Sequence, residues 1–277
     1  MHSAAVVGLG LVGGSLARDL AARGVRVLGY DRDAAALRAA RDEGVVAEAL
    51  GAGLEGVEGA EVVVLACPVA AAVQTLDAHH RRLGGARLVT DVGSTKRTIV
   101  EAAHRLGLGP RFVGSHPIAG SEASGWAASR TGLFAGAKVY LCPPESFRAE
   151  AVDLAHALWE QVGAVPQVVH ADWHDQHVAW ISHLPQLLST ALGLALAAEG
   201  VPRAELGPGG ASVARLAGSS PEVWTEVLIY NAGFVLRALA GLEGRLAELR
   251  HAVELRDADA IARHFAEARA WAGKTPS

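Results

Sequence analysis

Cysteine is scarce in this sequence of 277 residues, which contains only Cys67 and Cys142. Both lie in apolar stretches that predict strands, so the pattern supports neither a disulfide framework nor a thiolate metal site. This usage is typical of a reducing compartment, and we expect a cytoplasmic protein. The N-terminus enters the apolar stretch SAAVVGLG directly, which predicts a first strand rather than a signal peptide.

Lysine is also rare, with three lysines against 22 arginines. The formal net charge is −4, and the basic residues are spread along the chain rather than gathered in runs. Nucleic acid and anionic membranes require a basic patch, so we expect neither as a partner and favour a small molecule. Lys96 stands out by its rarity. At the start of a helical pattern its side chain could attract anions, but we expect it simply to be solvated.

Uninterrupted apolar runs of membrane-spanning length are missing as well. The longest apolar stretch, residues 178 to 198, is interrupted by His183, Pro185, Gln186 and Ser189. We interpret it as a buried helix rather than a membrane span. A hydrophobic share of 51% with 19% charged residues is typical of a globular protein.

Short apolar runs alternate with helical patterns through the first half of the chain. This alternation predicts an α/β fold with a doubly wound, mostly parallel sheet of the Rossmann type. After about His170 the strand patterns stop, and Leu and Ala recur at helical spacing. We therefore predict a dinucleotide-binding domain over residues 1–169 and an all-helical domain over residues 170–277. The predicted strands cover residues 4–10, 25–31, 60–68 and 86–93, followed by those within RFVGSHP, AKVYLCPP and VPQVVH.

A glycine-rich turn follows the first predicted strand. GLGLVGG supplies Gly8, Gly10 and Gly13 in the G-x-G-x-x-G spacing, with Leu11 and Val12 opening a helix. Glycine at these positions permits a tight turn, a close approach of the backbone to a pyrophosphate, and close packing of helix on strand. The alternative is a tight turn that binds nothing.

An acidic residue ends the second predicted strand about 20 residues later, as the dinucleotide pattern requires. Asp31 can bind the ribose hydroxyls and repel a 2′-phosphate, so NAD is favoured over NADP. Arg32 weakens that preference because it could tolerate a phosphate, and Asp31 could instead cap the next helix. Cys67 and Pro68 end a strand on the same face, where they could line the cofactor site or simply terminate the strand.

The loop GSHPIAGSEASG contains one histidine among small residues. The strand before His116 should deliver its ring to the edge where the cofactor lies. Histidine titrates near neutrality and can accept a hydroxyl proton as a hydride leaves, although a lone loop histidine can equally be structural.

Five motifs in order resemble those of the prephenate and arogenate dehydrogenases, the tyrosine-biosynthesis dehydrogenase family. They are VVGLGLVGGSLA, DVGSTK, GSHPIAGSEASG, HDQHVAWISHLPQLL and ARLAGSSPEVW, and they span nearly the whole chain. The resemblance implies oxidative decarboxylation of prephenate to 4-hydroxyphenylpyruvate with hydride transfer to NAD. The alternative is an arogenate dehydrogenase or a dual cyclohexadienyl dehydrogenase that uses both acids. The resemblance also implies a homodimer formed through the helical domain.

The resemblance assigns roles to individual residues. His116 falls on the catalytic base, and Ser94 on the serine that bonds the substrate hydroxyl, although Ser94 also reads as a helix N-cap. Arg215 falls on the arginine that binds a substrate carboxylate. The remaining expected substrate-site residues are Ser121, Glu122, His174, His183 and Gln186.

Two departures from the family pattern concern the substrate. Some relatives have a second histidine where this chain has Gln186, whose neutral amide can bond a keto acid side chain and so favours prephenate. An acid often found three residues before the arginine is Ser212 here, which puts an entrance ion pair in doubt. His174 and His177 could share a helix face, but no third ligand has suitable spacing, so we expect no metal.

Two other functions remain open on the sequence. A β-hydroxyacid dehydrogenase would need a lysine on the helical domain, and the one lysine after residue 170 is Lys274 in the tail. An NAD-binding sensor without turnover would leave the arrangement of His116, Ser94 and Arg215 as a coincidence.

Overall fold

A computed structural model describes residues 1–120 and 123–273 of the chain. Its centre is an eight-stranded sheet with the strand order β3-β2-β1-β4-β5-β6-β7-β8. All neighbouring strands pair in parallel except β6 and β7, which are antiparallel, so the predicted mostly parallel sheet is confirmed. The strands are β1 (Ser3–Val7), β2 (Arg26–Tyr30), β3 (Glu48–Ala49), β4 (Val62–Leu65), β5 (Leu88–Asp91), β6 (Phe112–Pro117), β7 (Lys138–Cys142) and β8 (Val165–Val168).

Helices cover both faces of this sheet. The strands are buried on both sides because alternate residues of one strand enter different cores: Ala4 and Val6 pack into one apolar cluster, and Ala5 and Val7 into the other. Residues of α1, α2 and α5 belong to the first cluster, and those of α3 and α4 to the second. These helices are α1 (Leu11–Ala21), α2 (Ala34–Asp42), α3 (Val69–Leu83), α4 (Arg97–Arg105) and α5 (Ala149–Gln161).

The direction of the strand order reverses between β1 and β4, which are neighbours in the sheet. The turns that leave these two strands therefore meet at one edge. In open α/β sheets this reversal opens the crevice in which ligands bind.

The remainder of the described chain is helical, as predicted. A continuous helical run over Ala171–Ala198 contains a π-helical segment, Ala179–His183, and is long and apolar enough by length and composition alone to cross a membrane. Only 17% of its most apolar window is buried, so the chain by itself leaves this helix more exposed than we predicted. The helices are α6 (Ala171–Val178), α7 (Leu184–Ala198), α8 (Pro208–Val213), α9 (Pro221–Tyr230), α10 (Ala232–Glu254) and α11 (Ala258–Ala272).

Candidate active site

The glycine-rich turn joins β1 to α1. Gly8 has φ +102°, a conformation that L side chains rarely adopt, and a Cβ on Gly13 would lie 2.0 Å from the carbonyl oxygen of Gly8. A Cβ on Gly10 would meet nothing within 4 Å, so this position faces open space at the N-terminus of α1. Leu11 is buried and Val12 partly buried against the core, so they anchor the helix. Free backbone N–H groups beside open space suit a pyrophosphate.

Asp31 lies just after β2 and is tied to the glycine-rich turn. Its carboxylate accepts hydrogen bonds from the backbone N–H of Leu9 at 2.6 Å and of Asp33 at 2.8 Å. The N-cap of α2 is Asp33, whose side chain accepts from Ala35 N, rather than Asp31. A carboxylate has lone pairs to spare beyond these two bonds, so Asp31 can still accept from ribose hydroxyls. Arg32 beside it is exposed.

The turn after β4 lies against the glycine-rich turn. A Cβ on Gly8 would lie 3.1 Å from the backbone nitrogen of Cys67. Burial raises the pKa of the Cys67 thiol to about 12, so the thiol stays protonated. Pro68 occupies the N-cap position of α3, where the side chain of Glu226 from the helical half accepts from the backbone N–H of Ala70.

His116 lies near the end of β6, opposite Tyr140 of β7. It lines a cleft of about 440 Å³ together with apolar residues, which suits a small carbocyclic ligand. Burial, followed by the nearby His174, Lys96 and His183, holds the pKa of His116 well below its ordinary value of 6.5. The ring is therefore neutral at pH 7, as a proton acceptor must be. The cleft is lined by His116, Pro117, Ile118, Ala119, Gly120, Val178, Ile181 and Ser182.

His116 is hydrogen-bonded to a second histidine. Its Nδ1 lies 2.8 Å from Nε2 of His174 on α6, and Nδ1 of His174 lies 2.7 Å from the carboxylate of Asp175. His174 and Asp175 are 0% and 1% exposed. Burial lowers the pKa of His174, although its bond to Asp175 opposes this. The structure thus places His174, which was expected at the substrate, against the ring of the predicted base.

Asp175 also caps a helix of the other domain. Its carboxylate accepts from the backbone N–H groups of Lys96 and Arg97 at 2.8 and 2.9 Å, at the start of α4. Ser94 lies two residues before Lys96, in a bend and partly exposed. The N-cap alternative for Ser94 is not realised, because α4 begins at Arg97 and the capping carboxylate comes from Asp175.

Lys96 is fully buried, so the prediction of a solvated side chain is wrong. Its ammonium pairs with the buried carboxylate of Asp91 and donates to the carbonyl oxygen of Ser115 at 2.8 Å. Asp91 in turn accepts from the backbone N–H of Ser115 at 3.2 Å. These contacts join the loop after β5 to β6, directly before His116. Loss of either partner would leave a buried charge unpaired, which typically costs about 3–5 kcal/mol.

His183 and Asn231 continue the network into the helical half. Nδ2 of Asn231 lies 2.8 Å from the carbonyl oxygen of Asp175 and 3.1 Å from Nδ1 of His183. Trp224 packs edge-on against the His183 ring at 5.9 Å between centroids. Burial lowers the pKa of His183 to about 4, so this ring is neutral too.

Arg215 lies in a 3₁₀ turn, Ala214–Gly218, that packs on α7. Gln186 of α7 brackets this turn: its Nε2 donates to the carbonyl oxygen of Leu216 at 2.8 Å, and its Oε1 accepts from Ser219 Oγ at 3.1 Å. The amide expected at the substrate therefore has protein partners on both atoms. Ser212, the neutral residue at the expected acid position, is exposed in α8.

Ser121 and Glu122, both expected at the substrate, lie outside the described residues. The expected roles of the other substrate and cofactor residues stay predictions, now with positions attached. Sequence reasoning missed Asp91 and Asn231, expected Lys96 to be solvated, and assigned no task to Asp175. Asp175 had one usable signal, its place in HDQH beside His174.

Comparisons with known proteins agree with this arrangement. The profile of the prephenate dehydrogenase nucleotide-binding domain matches residues 16–168, and that of the prephenate dehydrogenase dimerization domain matches residues 170–267. Prephenate dehydrogenase of Bacillus subtilis is 31% identical over 98% of this chain and 75% of its own length.

Solved structures are similar over the whole fold. Prephenate dehydrogenase from A. aeolicus, in complex with hydroxyphenyl propionate and NAD+, has a TM-score of 0.88 and 30% identity, covering 97% of this chain and 96% of the other. Synechocystis arogenate dehydrogenase has a TM-score of 0.84 and 31% identity, covering 97% and 98%. On the site geometry and these matches, the chain belongs to the prephenate dehydrogenase family.

Proposed function

We propose that this chain catalyses the NAD-dependent oxidative decarboxylation of prephenate to 4-hydroxyphenylpyruvate. The observation that carries the proposal is the neutral ring of His116, which lines a mostly apolar cleft. His116 lies near the end of β6, in the same sheet as β1, which leads into the glycine-rich turn. A base and a dinucleotide site in one crevice are the two parts that alcohol oxidation by hydride transfer requires.

The residues of the first half fit a bound NAD. The open space at Gly10 and the N-terminus of α1 would hold the pyrophosphate, and Asp31 would accept from the ribose hydroxyls. The negative charge of Asp31 would repel a 2′-phosphate, which supports NAD over NADP. NAD supplies the hydride acceptor. We include Cys67 and Pro68 in this site because their turn lies against Gly8.

The protein's own chemistry is proton transfer and positioning. Nε2 of His116 would accept the proton of the substrate's C4 hydroxyl as that carbon is oxidised. Loss of the ring carboxylate as CO2 then sends the electron pair of its bond into the ring, which becomes aromatic, and the phenolate oxygen recovers the proton from His116. Aromatisation supplies much of the driving force, so the site needs mainly orientation and a proton acceptor.

Arg215 and Ser94 complete the proposed site. The planar guanidinium of Arg215 suits a carboxylate, which it can bind through two parallel hydrogen bonds. Ser94 would donate to or accept from the substrate hydroxyl, from a loop whose following helix is held by Asp175. His183, Ser121 and Glu122 remain proposed substrate-site residues on the family resemblance alone.

Arogenate is the second candidate, and the match to Synechocystis arogenate dehydrogenase favours it. Gln186 no longer separates the two substrates, because its amide is engaged by Leu216 and Ser219. The preference for prephenate now depends on the prephenate dehydrogenase profiles and the Bacillus subtilis relative.

We also propose a homodimer formed by the helical half. Its exposed apolar side chains, such as Leu194 and Ile229, are 68% and 67% exposed in the single chain. Such surface typically marks an interface. A cytoplasmic location is part of the proposal, because Cys67 and Cys142 are free thiols.

Four parallel assays test the activity, pairing prephenate or arogenate with NAD or NADP and following NADH or NADPH formation and CO2 release. We expect the highest kcat/KM with prephenate and NAD. A higher kcat/KM with arogenate would make arogenate the assigned substrate. NAD binding without turnover of either acid would indicate an NAD sensor instead of an enzyme.

A further inference from the structure

Three side chains from both halves of the protein form one hydrogen-bonded series that begins at His116, which lines the cleft. His116 is on β6 of the sheet, whereas His174 and Asp175 are on α6 of the helical half. The two links measure 2.8 Å between the histidine nitrogens and 2.7 Å between His174 Nδ1 and Asp175 Oδ1. Both are full hydrogen bonds.

The hydrogens of this series can be assigned from its buried end. The carboxylate of Asp175 accepts from the backbone N–H groups of Lys96 and Arg97, which can only donate. It therefore acts as an ionised acceptor, and His174 must carry its hydrogen on Nδ1. Since burial keeps His174 neutral, its Nε2 has a lone pair and accepts from His116 Nδ1.

We propose that Asp175, acting through His174, is a positioning residue that selects the Nδ1–H tautomer of His116 and leaves Nε2 as the proton acceptor. In the other tautomer, two bare nitrogens would face each other across the 2.8 Å link. The series thus fixes both the orientation and the hydrogen of the ring that lines the cleft. An acid that orients a histidine in this manner is known to raise the reactivity of other enzyme sites.

The same carboxylate also contacts the segment that joins β5 to α4. By capping α4 at Lys96 and Arg97, Asp175 restrains the segment that contains Ser94. Asn231 holds the carbonyl oxygen of Asp175 at 2.8 Å from the other side. One buried residue of the helical half therefore positions two groups of the nucleotide-binding half.

During turnover the proton moves only between the substrate and His116. When His116 Nε2 accepts the hydroxyl proton, the ring becomes an imidazolium, and the negative charge of Asp175 stabilises it across His174. The proton returns from His116 to the phenolate oxygen after CO2 has left, so no external acid or base is consumed. This inference rests on the proposed dehydrogenase function.

A spectroscopic experiment tests the tautomer without relying on turnover. Long-range ¹H–¹⁵N correlation spectra of histidine-labelled, NAD-bound protein at pH 7 distinguish a protonated Nδ1 from a protonated Nε2. We expect His116 to carry its hydrogen on Nδ1 in the wild type. A hydrogen on Nε2 would overturn the inference, whatever the enzyme's substrate is.

Paired variants test the consequence for catalysis. His174→Phe removes the acceptor, and we expect a mixed tautomer and a kcat about 10²-fold lower, with the KM for NAD unchanged. His174→Gln can accept from His116 through its oxygen and donate to Asp175 through its nitrogen, so it should stay within about tenfold of wild type. Equal losses of kcat in the two variants would contradict the proposal. If the Phe variant folds poorly, a loss well beyond tenfold in the Gln variant alone would contradict it.

Two substitutions on α6, one at the buried Asp175 and one at the exposed Asp172, separate a positioning role from a merely structural one. In Asp175→Asn the imidazolium loses its stabilising charge, so we expect a lower kcat and an acidic limb of the kcat/KM profile at lower pH. Asp172→Asn on the exposed face of α6 is the matched control and should change neither. An unmoved limb in Asp175→Asn would overturn the role of the charge. If the wild type turned over neither prephenate nor arogenate, the proposed function would be rejected. The tautomer of His116 could still be measured and would test the inference separately.

Discussion

The two halves of this molecule differ in how they are stabilised. The nucleotide-binding half encloses two apolar clusters, one on each face of its sheet. Among the described residues of the helical half, the buried apolar cluster comprises only Ala179, Leu184, Val235 and Ala238. Large apolar side chains such as Leu236 and Phe265 are 63% and 69% exposed. The first half can fold around its own core, whereas the second needs further apolar surface to cover it.

This difference has a consequence for the active site. The proposed base comes from the nucleotide-binding half, which has its own core. His174, Asp175 and Arg215 come from the helical half, whose apolar surface is not covered within the single chain. Polar contacts join the two halves, among them the caps that the buried Asp175 and the part-buried Glu226 place on α4 and α3. Catalysis should therefore fail in different ways when each half is altered.

The largest expected effect comes from the nucleotide-binding half. His116→Asn removes the proton acceptor, so kcat should fall by about 10²-fold or more. NAD affinity, measured by isothermal calorimetry, should change little because His116 lies outside the glycine-rich turn. A kcat within threefold of wild type would remove His116 from the chemistry.

A comparable effect on assembly is expected in the helical half. Leu194→Glu places a charge on the exposed apolar face of α7, and burial of such a side chain contributes about 1.5–3 kcal/mol on each side of a symmetric interface. The dimer dissociation constant, measured by analytical ultracentrifugation, should rise by about 10²-fold or more. Val165→Glu is the matched control in the other half, with a side chain 57% exposed, and should leave it unchanged. Equal behaviour of the two variants would refute the contrast between the halves.

Arg215→Ala tests whether the helical half contributes substrate binding. Loss of a charge-assisted contact of about 1.5–3 kcal/mol should raise the KM for prephenate between about 10- and 100-fold, with a small change in kcat. Steady-state kinetics measure both values. Arg203→Ala on a neighbouring exposed turn controls for the lost charge. A KM equal to that of the control would show that Arg215 does not bind the substrate carboxylate.

A smaller effect is expected at the cofactor specificity site. Asp31→Asn removes the charge that repels a 2′-phosphate and keeps an acceptor for Leu9 N–H, so the NAD over NADP preference should fall by about tenfold. The ratio of kcat/KM values for the two cofactors measures it. An unchanged ratio would remove the reason for favouring NAD.

The smallest expected effect is a nearly flat stretch of the pH profile. Because the pKa of His116 lies well below 6.5, the base is already deprotonated at pH 6.5. Lowering the pH from 7.5 to 6.5 should therefore barely reduce kcat/KM, and the acidic limb should begin at lower pH. Half-maximal kcat/KM at pH 6.5 would indicate an ordinary, solvated histidine instead.

The parts of the fold that sequence could reveal are those with a local pattern. Buried parallel strands need consecutive apolar residues. β2, β4 and β5 each lie within a predicted run, and β1 begins one residue before its own. The two-residue strand Glu48–Ala49 and the π-helical segment Ala179–His183 were not predicted, since neither has a periodicity of its own.

The candidate site was predictable where a motif is contiguous. The residues next to the glycine-rich turn and to His116 in the sequence are enough to identify both as site candidates. The burial of Lys96 could not be predicted in this way, because a lysine at a helix start is usually solvated. Only the fold brings Asp91 and Ser115 around it. The role of Asp175 depends on Lys96, 79 residues away in sequence. Its place beside His174 in HDQH could mark the residue but could not reveal that contact.

A crystal structure of the protein with NAD and hydroxyphenyl propionate would test the central claim most directly. We predict that Nε2 of His116 lies within about 2.6–3.2 Å of the phenolic oxygen and that its Nδ1 is still bonded to His174. The nicotinamide ring should lie against the ring carbon that bears this oxygen. A phenolic oxygen bound away from His116, or a nicotinamide on the other face of the sheet, would contradict it.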